Sequence, residues 1–268
     1  MSPWLLPANF KAEIAPETSC SMSSSLLRST DSPVSGVQIW TAHLESFSST
    51  EIAELGALLD GAEQTRAARF HFPRDRRHYV ASRGLLRRLL GAALELPAPA
   101  LVFEYGAQGK PELAATSSPD RILGFNLAHS AGWAMFALAW DREIGIDLES
   151  ATRLKRDINA LPGLAARVLS PRELAIWQAL PDDAARDAAF LRAWTRKEAY
   201  VKATGKGLFD ELANIEVALD AAAPETSLTL RSIPQEGEIV RHWALHDLSA
   251  PDGFAAALAV EQKMEQLA

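Results

Sequence analysis

The stretch from Phe190 to Leu208, FLRAWTRKEAYVKATGKGL, constrains the rest of the chain more than any other. At 3.6 residues per turn, Phe190, Leu191, Trp194 and Val201 fall on one apolar stripe of a helix, and such a stripe must be buried. Glu198 falls inside that stripe, between Trp194 and Leu191. A carboxylate there is expensive to bury unless a cation or a set of donors meets it. Lys202, at i+4 on the edge of the same face, is the first candidate partner. Two readings stay open at this point: an ordinary Glu–Lys pair on a half-buried helix, or a carboxylate held for chemistry.

With 268 residues and 48% apolar content, the chain can bury a full core as one large domain or two small ones. Its formal charge of −7 argues against nucleic-acid binding by the surface as a whole. Cys20 is the only cysteine, which excludes a disulfide framework and a thiolate metal cluster. No apolar run approaches the roughly 18 residues of a membrane span, and no secretory leader pattern opens the chain. A cytoplasmic protein without membrane attachment is expected. Residues 1–35, rich in Ser, Pro and Thr, read as a flexible leader, with order beginning near Val37 in the alternating run VQIWTAHL. Glu51–Leu59 reads as a helix capped by Ser49 or Thr50.

From Arg66 to Arg88 the chain holds eight arginines against one acid, Asp75. Such a run is ordinarily a solvated face, yet a local reversal of sign in an acidic chain also suits a polyanionic ligand, and arginine's fork suits phosphate. The second half of the run, from Arg76 to Leu94, reads as a helix. After a short strand at Leu101–Tyr105, Gly106–Pro111 forms a turn with Lys110 at its tip. The spacing of a Walker loop is absent both here and at Gly205-Lys206.

Three strand-like runs follow, Ile122–His129, Trp133–Trp140 and Glu143–Glu149, with Asp141-Arg142 turning between the last two as in a hairpin. In the third, Ile144, Ile146 and Leu148 face one way while Gly145, Asp147 and Glu149 face the other. Two carboxylates at i and i+2 stand about 7 Å apart along a strand, and Gly145 lets something approach the backbone closely. Further on, Pro162–Val168 reads as a helix, and Ser170-Pro171-Arg172-Glu173 as the capped start of another. Four strand-length pieces close the chain (Ile215–Leu219, Ser227–Ile233, Ile239–Leu245 and Phe254–Val260). His242 and His246 share one strand face there but lack further metal-type companions.

Asp147, Glu149 and Glu198 are thus three awkwardly placed carboxylates. All-oxygen ligands select a hard cation, magnesium or manganese, which usually keeps waters and shares its shell with a substrate phosphate. Arginines and a turn lysine could complete a pyrophosphate site, which points to a metal-dependent phosphoryl- or phosphodiester-transfer enzyme.

GIDLE at 145–149 together with WTRKEAYVKATGKGL at 194–208 resembles the signature pair of the 4′-phosphopantetheinyl transferases, more narrowly their Sfp type. FNLAHS at 125–130 and QGKP at 108–111 match the two preceding motifs of that family, in order and in register. The resemblance covers residues 36–262. It implies an α+β fold of two similar subdomains related by a pseudo-two-fold, joined near Asp141–Glu143, with coenzyme A in the cleft between them. Residues 36–141 would form the N-terminal subdomain, supplying coenzyme A phosphate contacts. Residues 142–268 would form the C-terminal one, with the magnesium ligands and the catalytic helix. A chain of this length would act as a monomer.

The implied reaction transfers the 4′-phosphopantetheine group of coenzyme A to a serine of an apo acyl, polyketide or peptidyl carrier protein and releases 3′,5′-ADP. By the resemblance, Asp147, Glu149 and Glu198 would hold the magnesium ion. Lys202 would meet the phosphates and assist the leaving group, and Glu198 would help deprotonate the attacking serine. Lys110, His129 and Arg66 match positions that contact coenzyme A phosphates; Arg83 and Arg87 are assigned there only through helix register. One departure stands out: the family's Ser-His-Ser reads Ala128-His129-Ser130 here, which predicts one phosphate hydrogen bond fewer. Competing readings are a catalytically weak carrier-binding module of the same fold, another magnesium-dependent phosphotransferase, and an RNA-binding protein using the arginines of 66–88.

Overall fold

The structure is a computed structural model describing residues 26–114, 121–154, 161–205, 209–220, 225–227, 229–230 and 243–262. In chain order the strands of the first half are β1 (Leu27–Thr30), β2 (Val37–His43), β3 (Phe103–Tyr105), β4 (Pro111–Leu113), β5 (Leu123–Ser130) and β6 (Trp133–Trp140). Those of the second are β7 (Ile144–Ser150), β8 (Ile215–Glu216), β9 (Glu225–Ser227), β10 (Thr229–Leu230), β11 (Trp243–Asp247) and β12 (Phe254–Glu261). The helices are α1 (Ser49–Gly56), α2 (Gly61–Ala68), α3 (Pro73–Leu94), α4 (Ala151–Leu154), α5 (Leu161–Val168), α6 (Pro171–Gln178) and α7 (Asp183–Thr204).

Local chemistry accounts for the helix starts. Ser48 caps α1 and closes a capping box with Glu51, one residue earlier than the Ser49 or Thr50 expected, because only Ser48 has a Glu at its third helical position. Ser170 caps α6 in the same way with Glu173, as its sequence predicts. Pro73 starts α3 three residues before the expected Arg76, since its fixed φ suits the first helical turn. Asp182 caps α7, and Gly205 ends it in the left-handed region at φ 65°.

Two four-stranded antiparallel sheets form, in the orders β1-β2-β6-β5 and β7-β12-β11-β9. The same plan occurs in both. A first strand (β2, β7) is followed by helices that end in one of 22 residues (α3, α7). A hairpin then follows (β5–β6, β11–β12), and its second strand pairs back with the first. The mixed α+β architecture expected from the family resemblance is what the chain adopts.

Two elements depart from the expectation. β6 and β7 are not a hairpin: β6 lies between β2 and β5, and β7 pairs with β12 in the other sheet. The reason is visible in WAMFALAW, which is apolar on both faces and so belongs in the middle of a sheet, while Asp141, at φ 55°, turns the chain out of it. The second departure concerns residues 27–30, read as part of a leader. They form β1 and pair with β2 from Leu27↔Ala42 to Thr30↔Ile39, with Leu26 and Leu27 packed on the core. Residues 1–25, and most of Ser227–Ile233 and Ile239–Leu245 with His242, lie outside the described residues.

The cores stack in layers. Ala134, Phe136 and Leu138 of β6 face α1 and α3, whereas Met135, Ala137 and Ala139 face a central cluster shared with the other sheet. From the far side, Ile144, Ile146 and Leu148 of β7 and Ala256, Leu258 and Val260 of β12 enter that central cluster. Ala257 and Ala259 of β12 face α7. Strand alternation thus gives each sheet a helix layer outside and a shared layer inside, and turns Asp147 and Glu149 toward α7.

Candidate active site

Gly145 explains why α7 reaches the carboxylates. A β-carbon at this position would lie 2.0 Å from the Ala199 carbonyl oxygen and 2.4 Å from the Ala203 nitrogen. The backbone of α7 therefore rests directly on β7, a contact only glycine permits. That contact carries Glu198 and Lys202 to the side of Asp147.

The helix is buried more completely than its apolar stripe suggests, and in a different sense. Phe190 and Leu191 are buried, but Trp194, Glu198, Val201 and Lys202 make up a half-exposed sector. Glu198, Val201 and Lys202 line a cleft of about 330 Å³ together with Lys110, Asn126 and Leu127. Between Ala189 and Ala203 the other residues except Arg192 are buried, including Arg196 and Lys197, each 0% exposed. Lys197 donates to Glu173 Oε2 at 2.5 Å and to the carbonyls of Val168 and Leu212. Arg196 forks onto Asp247 and also reaches the Ala218 and Asp220 carbonyls. Every such donor finds an acceptor, which is the condition for burying a cation. Sequence reasoning passed over Lys197, although it lies seven residues from Phe190 and hence on the same side of the helix.

Lys202 pairs with Asp147 and not with Glu198: its Nζ donates to Asp147 Oδ1 at 2.5 Å. Asp147 is 4% exposed, and its other oxygen, Oδ2, is buried with no hydrogen-bond partner. Burial pushes the Asp147 carboxyl above the ordinary 3.8, with Lys202 pulling it back and Glu149 pushing it further up. Burial likewise raises Glu198 above 4.5, helped by the charge of Asp147 and, more weakly, of Glu149, against Lys202. The three carboxylates feel one another's charge, and of them Glu198 lines the cleft. Among the described residues, no three His, Cys, Asp or Glu side chains are already gathered into a metal cage. An orphaned carboxylate oxygen beside two further carboxylates nonetheless fits a hard cation that completes its shell with water and phosphate.

β5 forms the opposite wall. Asn126 Oδ1 accepts from Ile146 N at 3.0 Å, and Ser130 Oγ donates to Glu149 Oε2 at 2.9 Å while accepting from Ser150 N at 3.2 Å. His129, the histidine of the family motif, is exposed, and Asn126 and Ser130 of the same strand bond to β7. Ala128, 1% exposed, lies in the central apolar cluster. A serine here would sit in that buried layer, on the same strand face as Asn126 and Ser130.

The remaining basic residues separate by environment. Lys110 Nζ donates to Glu143 Oε2 at 2.6 Å and to the Ala203 carbonyl at 2.7 Å, tying the 106–111 turn to the end of α7. Arg66 is exposed, with its guanidinium carbon 5.5 Å from the Tyr79 ring centroid. Arg83, in contrast, is 7% exposed and salt-bridged to Glu63 at 2.6 Å, and it lies over the Phe103 ring. Arg87 is wholly buried on Glu63, Asp60 and two carbonyls. Both guanidinium groups, assigned to phosphate through helix register, instead brace α3 against α2.

Residues 143–259 match the family profile described as the 4′-phosphopantetheinyl transferase superfamily, and residues 44–140 match one described as 4′-phosphopantetheinyl transferase, N-terminal. The chain is similar to the 4′-phosphopantetheinyl transferase HetI of Nostoc, at 38% identity over 84% of this chain and 87% of that protein. It is 30% identical to the 4′-phosphopantetheinyl transferase psf-1 of Bacillus pumilus over 59% of this chain and 63% of that one. The human L-aminoadipate-semialdehyde dehydrogenase-phosphopantetheinyl transferase matches at 28% over 75% of this chain and 66% of its own length. Among solved structures, the Helicobacter pylori holo-[acyl-carrier-protein] synthase in complex with coenzyme A overlays 44% of this chain and 99% of its own, at 21% identity and a TM-score of 0.34. The chain belongs to the 4′-phosphopantetheinyl transferase superfamily, Sfp type.

Proposed function

We propose that this protein transfers the 4′-phosphopantetheine group of coenzyme A to a serine of an apo acyl, polyketide or peptidyl carrier protein, releasing 3′,5′-ADP. The observation that carries the reading is Asp147, buried behind the cleft-lining Lys202, with one oxygen on that lysine and the other unpartnered. Residues 36–141 and 142–268 act as two subdomains around the cleft, in one chain that works as a monomer in the cytoplasm. Asp147, Glu149 and Glu198 would hold a magnesium or manganese ion, which supplies charge neutralisation for the pyrophosphate of coenzyme A.

In the reaction the serine oxygen forms a bond to the phosphorus that bears the pantetheine, and the bond from that phosphorus to the oxygen of the 3′,5′-ADP phosphate breaks. Glu198, whose carboxyl burial makes more basic than an ordinary one, accepts the serine proton. Lys202 leaves Asp147 for the phosphate and stabilises charge on the departing 3′,5′-ADP. Lys110 and His129 contact coenzyme A phosphates from the N-terminal half, and Arg66 meets them from its exposed position on α2. Intact-mass spectrometry of apo carrier proteins incubated with the protein, coenzyme A and magnesium tests the proposal. The expected result is one added phosphopantetheine per carrier; failure with acyl, polyketide and peptidyl carriers alike at high enzyme concentration would overturn it.

A further inference from the structure

β5 is the last strand of its sheet and β7 the first of the other, so two open edges meet at the centre of the molecule. Edge strands present unpaired backbone groups that need partners. Here the partners are side chains. Asn126 accepts from Ile146 N, and Ser130 accepts from Ser150 N. Both links span the same offset in sequence, so β5 and β7 run parallel at one fixed register, pinned at two points four residues apart. Between the pins, Asp147 and Glu149 turn to the opposite side, toward α7.

We infer that Ser130 is a positioning residue that holds the Glu149 carboxylate in place beside Asp147 and Glu198. A hydroxyl has a single proton to donate. Since Ser130 Oγ accepts from Ser150 N, that proton is directed at Glu149 Oε2, 2.9 Å away. Ser130 is 5% exposed, so its rotamer is held by packing and water does not compete well for the contact. One side chain thereby sets both the register of β7 and the orientation of a carboxylate borne on it. Hydrogen bonds of this kind to ligating carboxylates typically carry about 10- to 100-fold of metal affinity. The inference rests on the reading of Glu149 as a cation ligand.

Titration of Mn²⁺ into the full-length protein with coenzyme A present, read by the electron paramagnetic resonance of free Mn²⁺, measures this without turnover. Ser130→Ala should weaken Mn²⁺ binding about 10-fold or more, with the KM for coenzyme A at saturating metal unchanged. Ser130→Thr, which keeps the hydroxyl, should recover most of the loss. Ser130→Cys keeps the volume but donates weakly, and gives the same readout should the alanine variant not fold. Glu149→Gln separates the two layers of the claim. If Glu149→Gln weakens Mn²⁺ binding while Ser130→Ala binds as the native protein does, the inference is wrong and the role of Glu149 stands. A Ser130→Ala protein that melts earlier yet keeps native Mn²⁺ affinity overturns it equally, leaving Ser130 as a brace between strands. If neither variant loses Mn²⁺, the reading of Glu149 falls and the inference falls with it.

Discussion

At the scale of single residues, the decisive quantity is the mismatch of charge around Asp147. Among the described residues Lys202 meets this group of carboxylates, and it satisfies only one oxygen of one of them. Raised carboxyl pKa values have a definite consequence for stability. Without a cation, the folded state binds protons more tightly than the unfolded chain does, so stability falls as pH rises from near 3.8 and 4.5 through the raised values of Asp147 and Glu198. Glu198→Gln removes one of the two groups, so metal-free thermal unfolding followed across this window should show a shallower decline and a melting temperature that holds or rises. The same variant should lose about 10²-fold or more of carrier modification. Undiminished turnover, together with a full coenzyme A- and magnesium-induced rise in melting temperature, would remove Glu198 from the site.

At the scale of elements, the two long helices do different work with their charges. α7 buries Arg196 and Lys197 in complete hydrogen-bond sets and keeps a narrow sector for the cleft. α3 buries Arg83 and Arg87 on Glu63, while its N-terminal turn and the preceding α2 leave Arg66, Arg74 and Arg76 exposed. An arginine-rich run thus contains both buried fasteners and exposed cations, one of them, Arg74, paired with Glu45, and two substitutions distinguish the classes. Arg83→Ala should lower stability in urea unfolding by on the order of 3 kcal/mol, because Glu63 is left under-compensated in the interior. Arg66→Ala should leave stability unchanged and raise the KM for coenzyme A more than it lowers kcat, the mark of binding shared by ground and transition states. An unchanged KM would return Arg66 to the solvated surface.

At the scale of the whole molecule, one chain supplies both walls of the cleft, with β5 and the Lys110 turn from the first half and α7, resting on β7, from the second. Nothing in that wall has to come from another copy, so sedimentation velocity should find a monomer across the micromolar range. Turnover per chain should not change on dilution; a concentration-dependent specific activity would show that assembly matters.

Much of this was legible in the amino-acid order because it depends on local rules. The period of two in GIDLE turned Asp147 and Glu149 to one side, the capping box at Ser170–Glu173 started α6, and Gly145 announced a close backbone approach. The spacing of four motifs was enough to indicate the family, since each motif is a contiguous stretch whose chemistry survives without its neighbours. What the tertiary structure alone decided are pairings between residues far apart in sequence. A two-residue connector fits a hairpin as well as a crossover, and only the apolarity of β6 on both faces, met by β2 and β5, sent β7 to the other sheet. Arg83 and Arg66 look alike in the sequence; Glu63, twenty residues from Arg83, makes one of them structural. Lys202 had Glu198 one turn away on its own helix, yet Asp147 on the neighbouring strand took it, because a buried carboxylate gains more from a cation than a half-exposed one does. Local periodicity sets which way a side chain points, and only packing sets what it meets there.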